Sequence, residues 1–310
     1  MGSTLNITIG NALEFYNFMD IPKKSIDLCI FDPPFFAEKK TFKSRSVNNI
    51  PEMEWINEKY VSNMSLTFFY LREYMKDEGW VAFKCDDRTS AVLYPELVKQ
   101  GYILNRDVVW DKIKIGMGSY IRQQHETISC WRMTNKKSYF MYPAWRRDDE
   151  TIKIRDKIHG NVGDINHRDR KGWHGGSKGL SFPSVIRLLP LGQGIKGQSK
   201  NHDHLCKTPI SLWDPFLRWL CPHNGTVFDP FAGTGSIGKA CIGLKDVFNN
   251  DKTVNYSGIE IDPQYSEKWT YTVEEIIQTK IDERKKTVQV LENIAKRERE
   301  KLNKYLECSS

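Results

Sequence analysis

Between Ser25 and Phe36 the chain reads Ser-Ile-Asp-Leu-Cys-Ile-Phe-Asp-Pro-Pro-Phe-Phe, and this stretch restricts the fold more than any other. Leu28 to Phe31 is apolar at every position, the pattern of a short strand covered on both faces. Pro33 and Pro34 end it by withdrawing two backbone donors. A strand of this kind belongs inside a mostly parallel sheet with helices on either side. The tip is chemically unusual as well. Asp32 stands beside carbonyls that can only accept hydrogen bonds, held stiffly because each proline fixes its own φ and restricts its predecessor. Phe35 and Phe36 add aromatic faces. Such a tip suits a ligand with N–H donors and a flat π-face, as a nucleobase amino group offers; the plainer reading is a strand-ending turn that contains Pro-Pro.

The rest of the chain repeats the strand–helix alternation. Strands are predicted at Leu5–Ile9, Ile26–Phe31, Gly79–Lys84, Ile103–Trp110, Glu126–Trp131, Thr226–Asp229 and Asn255–Glu260. Helical patterns lie at Ala12–Met19, Asn57–Lys76, Arg88–Lys99, Ile210–Leu220 and from Ser236 onward. Alternation of this type predicts a doubly wound α/β sheet. From Pro263 to about Leu306 the pattern is one long charged helix. Ile281, Val288, Leu291, Ala295, Leu302 and Tyr305 roughly follow a coiled-coil seam, but Arg284 and Glu298 fall on it. An amphipathic helix packed on its own domain or on a partner, a second copy included, is therefore expected.

A second strand end carries chemistry. Val227-Phe-Asp-Pro-Phe-Ala-Gly-Thr-Gly-Ser-Ile-Gly238 is a strand, a glycine turn and a helix start. Gly233 and Gly235 let the backbone turn tightly and approach a ligand, and a later strand ends on Glu260, placed to accept from ribose hydroxyls. The turn lacks the Gly-Lys-Ser/Thr ending of a P-loop. Asp229 would repel a pyrophosphate, so a cationic nucleoside bearing sulfonium and ammonium groups fits better than a dinucleotide.

Charge is unevenly placed. The chain carries a formal +7, yet Arg132 to Lys207 alone holds 16 Lys+Arg against 7 Asp+Glu. This segment is also Gly-rich and includes Trp145, Trp173 and five of the seven histidines. A basic insert with interleaved aromatics between two apolar blocks points to a phosphate backbone. No run approaches a membrane span, the N-terminal stretch lacks the plan of a signal peptide, and the seven cysteines form no C-x-x-C pair. An intracellular setting, cytoplasmic or nuclear and away from membranes, is expected. His202, His204 and Cys206 alternate, but they fall in a segment better explained below, and no metal is expected.

Taken together, Asp32-Pro-Pro-Phe35 resembles the catalytic motif of the DNA amino-methyltransferases, and Asp229-Pro-Phe-Ala-Gly-Thr-Gly235 resembles their S-adenosylmethionine motif. Their order, with the basic insert between them, is similar to the beta subgroup. The resemblance implies a Rossmann-like methyltransferase fold, circularly permuted: the glycine-motif strand is first in the sheet, Asn255–Glu260 second, Leu5–Ile9 third and the Asp32 strand fourth. It implies a catalytic half at 1–133, a target-recognition insert at 134–200, a cofactor-binding half at 201–266 and a charged C-terminal helix at 267–310. For the reaction it implies Asp32, Pro33, Pro34 and Phe35. For S-adenosylmethionine it implies Asn11, Asp32, Lys207, Asp229, Phe231, Gly233, Gly235, Ser236 and Glu260. Lys207-Thr-Pro-Ile-Ser-Leu212 is similar to the family's Lys-Pro segment but carries an inserted Thr208, and Asn11 stands where relatives often have an acidic residue. Arg122-Gln-Gln-His-Glu126 resembles the family's R-x-x-H-E element, which, with Arg146, Arg147, Arg168, Arg170 and Lys171 of the insert, would meet nucleic acid.

The expected activity is methyl transfer to the exocyclic N6 of adenine in DNA, because in the family an Asp before Pro-Pro leans toward adenine and a Ser toward cytosine. Cytosine-N4 transfer, an RNA adenine-N6 activity and a catalytically silent nucleic-acid-binding subunit of the same fold are the alternatives.

Overall fold

The computed structural model describes residues 3–36, 59–113, 122–134, 182, 184–191, 208–246, 250–266 and 271–308. Its strands are β1 (Thr4–Ile9), β2 (Ile26–Phe31), β3 (Met75–Cys85), β4 (Ile103–Asp111), β5 (His125–Arg132), β6 (Val185–Arg187), β7 (Gly225–Asp229) and β8 (Val254–Glu260). Its helices are α1 (Phe15–Phe18), α2 (Tyr60–Tyr74), α3 (Asp87–Lys99), α4 (Asp214–Leu220), α5 (Ser236–Ala240), α6 (Pro263–Ser266) and α7 (Val273–Cys308). One sheet has the order β1-β8-β7-β2-β3-β5-β4-β6. All neighbours are parallel except β3–β5 and β4–β5, so β5 alone runs against the rest. The third-second-first-fourth arrangement expected for a permuted chain is therefore the one observed, at β1-β8-β7-β2.

The apolar run of β2 is explained by two cores, one on each face of the sheet. Leu28 and Ile30 join Trp80, Ala82, Phe216, Leu217, Ile237 and Ile276. Their alternating neighbours Cys29 and Phe31 join Val81, Phe83, Met64, Phe68, Leu71 and Leu97 from the opposite side. Each such side chain contributes about 1.5–3 kcal/mol on burial, which is why both faces must be apolar here. Cys29, Cys85, Cys130, Cys221 and Cys241 are buried thiols within this packing.

Three features differ from expectation. β3 begins at Met75 rather than Gly79, directly after α2; the polar residues Lys76 to Glu78 hide the strand, but Ile26 pairs with Met75 and the Lys76 ammonium lies 2.8 Å from both Asp27 oxygens. β6, inside the span expected as the insert, adds three residues parallel to β4, too few for any periodicity to reveal.

The tail is not one unbroken helix from Pro263. Thr272 starts α7 as a capping box, its hydroxyl accepting from Glu275 N–H and its own N–H donating to the Glu275 carboxylate. The N-terminal half of α7 then clamps its own domain: Glu283 accepts from the Ile210 and Ser211 N–H groups at 3.0 and 2.8 Å, and Lys280 and Arg284 pair with Asp214.

Candidate active site

Four adjacent parallel strands deliver their carboxyl ends to one place. In sheet order these ends are Ile9-Gly10-Asn11 after β1, Glu260 closing β8, Asp229 closing β7 and Asp32 following β2. Sequence order reverses at β7, whose neighbours β8 and β2 leave in opposite directions, and the crevice outside such a switch point is where open α/β sheets bind ligands.

The turn after β7 has the backbone its glycines were expected to supply, with φ of +52° at Gly233 and +79° at Gly235. Gly233 N–H donates to Glu260 Oε2 at 2.6 Å, and Asp262 N–H donates to Oε1 at 2.9 Å. Glu260 thus ties the glycine turn to the end of β8 and keeps one lone pair on each oxygen. Its pKa is raised by burial, helped by the Asp262 charge, against the lowering pull of the Asp262, Gly233 and Ile261 backbone N–H groups. Asn11 accepts from Leu13 N–H at 3.0 Å and so caps the short turn after β1, leaving its amide NH2 as a donor. α5 starts at Ser236, as expected, and runs for five residues.

Asp229 is fully buried, accepting from Phe231 N–H at 3.2 Å and Tyr256 Oη at 2.8 Å. Burial, helped by the nearby Asp32 and Glu260 charges, pushes its carboxyl up to about 8. Its two bonds tie the start of the turn to Tyr256 of β8, while Phe231 stands half-buried with its ring edge-on to Phe31 at 5.3 Å.

Asp32 remains partly open, its side chain 18% exposed. Lys84 Nζ donates to Oδ1 at 2.9 Å and the Thr208 hydroxyl donates to Oδ2 at 2.8 Å. Tyr60 Oη occupies the Pro34 carbonyl at 2.9 Å, which leaves the Pro33 carbonyl as the acceptor beside Asp32 bonded to none of the described residues. Phe35 is half-buried, with Lys84 Nζ 4.9 Å from its ring centre. Behind Lys84, Glu126 lies 3.1 Å from the ammonium and also pairs with Lys112. Burial acts to lower the Lys84 pKa, but Asp32 and Glu126 outweigh it and hold the ammonium above its usual range. Burial likewise acts to raise Glu126, and the two lysines pull it below the usual carboxylate range.

The geometry is matched by family comparison: a DNA methylase model, for N6 and N4 methylases, matches residues 26–274. The chain belongs to the DNA methylase family. Solved structures of similar fold include a candidate DNA modification methylase from Thermus thermophilus, at TM-score 0.53 and 15% identity over 89% of this chain and 95% of that one. The same protein complexed with S-adenosyl-L-methionine is similar at TM-score 0.51 and 15% identity, over 89% and 96%. The cytosine-N4-specific PvuII DNA methyltransferase is similar at TM-score 0.52 and 16% identity, over 90% and 92%. At these identities the likeness is one of fold. Compared with curated protein sequences, the chain matches none.

In this DNA methylase the strand ends bring Asn11, Asp32, Pro33, Pro34, Phe35, Asp229, Phe231, Gly233, Gly235, Ser236 and Glu260 to one side of the sheet. Arg122 and His125 lie at the start of β5; Arg122 is exposed and His125 lies 4.0 Å from Asp87. Lys207, Arg146, Arg147, Arg168, Arg170 and Lys171, with His202, His204 and Cys206, fall outside the described residues. Two site members escaped the sequence reading. Lys84 was part of an apolar strand pattern, and Thr208 read as an insertion in the Lys-Pro segment. The one available signal was a lysine inside a strand otherwise buried on both faces.

Among the described residues no group of His, Cys, Asp and Glu could hold a metal ion, and no helix is long and apolar enough to cross a membrane.

Proposed function

We propose that the protein transfers the methyl group of S-adenosylmethionine to the exocyclic N6 of adenine in DNA. The carrying observation is the pairing of a partly open Asp32, followed by a Pro33 carbonyl bonded to none of the described residues, with a glycine turn and Glu260 on the neighbouring strands of the switch point. The residues present fit the cofactor. Asp32, Asp229 and Glu260 crowd the same strand ends, and their mutual repulsion contributes to the raised Asp229. A ligand carrying sulfonium and ammonium charges relieves that crowding, and the remaining lone pairs on Glu260 suit ribose hydroxyls.

When bound, S-adenosylmethionine supplies an activated methyl group on a cationic sulfur. The chain's task is to present the nucleophile. An exocyclic amino nitrogen is a poor nucleophile because its lone pair is delocalised into the ring. Asp32 and the Pro33 carbonyl each accept one N–H, draw the nitrogen toward tetrahedral geometry and free that lone pair for in-line attack. Phe35 stacks on the extruded base. Transfer would leave the positive charge on the amino nitrogen, whose extra proton would pass along its hydrogen bond to Asp32 and on to solvent. Asp32 therefore needs to accept a hydrogen bond rather than act as a strong base. Because the prolines aim both acceptors beforehand, little reorganisation is needed at the transition state.

The basic segment of the insert, with Arg146, Arg147, Arg168, Arg170 and Lys171, supplies the DNA phosphate contacts, and Lys207 contacts the cofactor. Transfer of a labelled methyl group to duplex DNA and to RNA, followed by nucleoside analysis, tests the reading. N6-methyladenine in DNA is the expected product; N4-methylcytosine, a product confined to RNA, or no transfer despite cofactor binding would each replace it.

A further inference from the structure

A lysine buried in the middle of a sheet needs a reason. Lys84 sits on β3 with its side chain 7% exposed, on the same face as Trp80 and Ala82 and 5.7 Å from the Trp110 ring centre. Replacing a buried ion pair by apolar residues is often neutral or stabilising, so packing alone does not call for a cation at this position. What distinguishes Lys84 is its contacts. It donates to Asp32, and it lies 4.9 Å from the Phe35 ring centre. It therefore meets both side chains that the proposed reaction assigns to the base.

Thr208 approaches the same carboxylate from the other half of the chain. Its hydroxyl donates to Asp32 Oδ2 and its carbonyl accepts from Ser236 Oγ at 2.8 Å, at the first residue after the glycine turn. A continuous line of polar contacts thus runs from the glycine turn through Ser236, Thr208, Asp32, Lys84 and Glu126 to Lys112. A carboxylate offers about four acceptor sites. With one donor on each oxygen its rotation is set, and acceptor capacity remains for an entering amino group.

We propose that Lys84 and Thr208 are positioning residues which together hold the Asp32 carboxylate in its working orientation before the base arrives. The inference rests on the reading of Asp32 as the acceptor of the target amino group. Its effect belongs to the rate of transfer, because neither residue need alter how tightly cofactor or DNA binds.

The experiment measures single-turnover methyl transfer, DNA affinity and S-adenosylmethionine affinity by calorimetry for four variants of the full chain. Thr208→Val, close to isosteric, should slow transfer about tenfold, and Thr208→Ser should restore it, since only the hydroxyl matters. Lys84→Met alone takes the ammonium from two carboxylates, the partly open Asp32 and the less exposed Glu126, and endangers folding, so it is combined with Glu126→Gln. That double variant should slow transfer about a hundredfold. Both affinities should stay within about threefold throughout. Thr208→Val at wild-type rate would overturn the proposal even if the Lys84 double variant failed to fold, as would a loss of rate that Thr208→Ser does not recover. Asp32→Ala is run alongside: if it keeps the rate, the reading of the site itself fails, whereas an inactive Asp32→Ala beside fully active Thr208 and Lys84 variants removes only this inference.

Discussion

Two strands of this sheet, β2 and β7, are neighbours, run parallel and are both followed by proline after an aspartate, yet the two aspartates have opposite fates. Asp32 stays 18% exposed, with a cation and a hydroxyl donating to it. Asp229 is sealed from water, takes Phe231 N–H and Tyr256 Oη, and has its carboxyl pushed up to about 8 by burial first and by Asp32 and Glu260 after it. The lesson is that an Asp-Pro strand end is a position and not a role. Desolvation and neighbours decide whether the carboxylate meets a ligand or supports the turn that does.

The contrast can be broken most forcefully at Asp32. Asp32→Ala should cut methyl transfer about a thousandfold, the scale of losing a preorganised electrostatic contact, while S-adenosylmethionine affinity, read by calorimetry, falls far less than the rate. A variant keeping a tenth of the rate would end the distinction between the two strand ends.

At the β7 end the loss should appear in binding instead. Gly233→Val forces a β-branched residue into a φ of +52° and should weaken cofactor affinity about tenfold or more; unchanged affinity would mean that the turn does not meet the ligand.

Asp229→Asn sharpens the comparison through stability. A carboxyl raised in the folded state from 3.8 to about 8 binds its proton more tightly folded than unfolded. Its contribution is most favourable below about pH 4, declines as pH rises, and is lost above about pH 8. The amide does not titrate, so the melting temperature of Asp229→Asn relative to wild type should climb between those limits in cofactor-free protein. Glu260 and Glu283, also raised by burial, titrate in both proteins. A flat difference would mean that Asp229 is already ionised in the fold.

The smallest effect is expected from the basic insert. Neutralising Arg146, Arg147, Arg168, Arg170 and Lys171 should flatten the salt dependence of DNA affinity by about one unit of slope for each phosphate deprived of its cation. Identical slopes in a salt titration would move the DNA surface elsewhere, to the exposed Arg122 and the half-buried His125 among others.

Much of this architecture is legible in local sequence, because it depends on short-range pattern. The all-apolar Leu28–Phe31 announces a strand with two covered faces, and the glycines of the second motif announce the turn whose φ values they adopt. The early start of β3 is hidden because Lys76, Asp77 and Glu78 carry charge where apolar side chains would mark a strand, and the pairing with β2 jumps from Met75 to Trp80. The start of α7 was legible and passed over: Thr272-Val-Glu-Glu275 is a capping box in plain sequence.

By itself, the sequence determined the α/β alternation, the order of the two Asp-Pro motifs and hence which strands lie together, since these follow from residue-by-residue hydrophobicity and proline and glycine backbone limits. Only the tertiary structure decided which carboxylate stays open and what orients it. The donors on Asp32 lie 52 and 176 positions away along the chain, and Tyr256 reaches Asp229 across 27. Contacts at such separations leave no periodicity to read, because they arise where segments well apart along the chain are laid side by side.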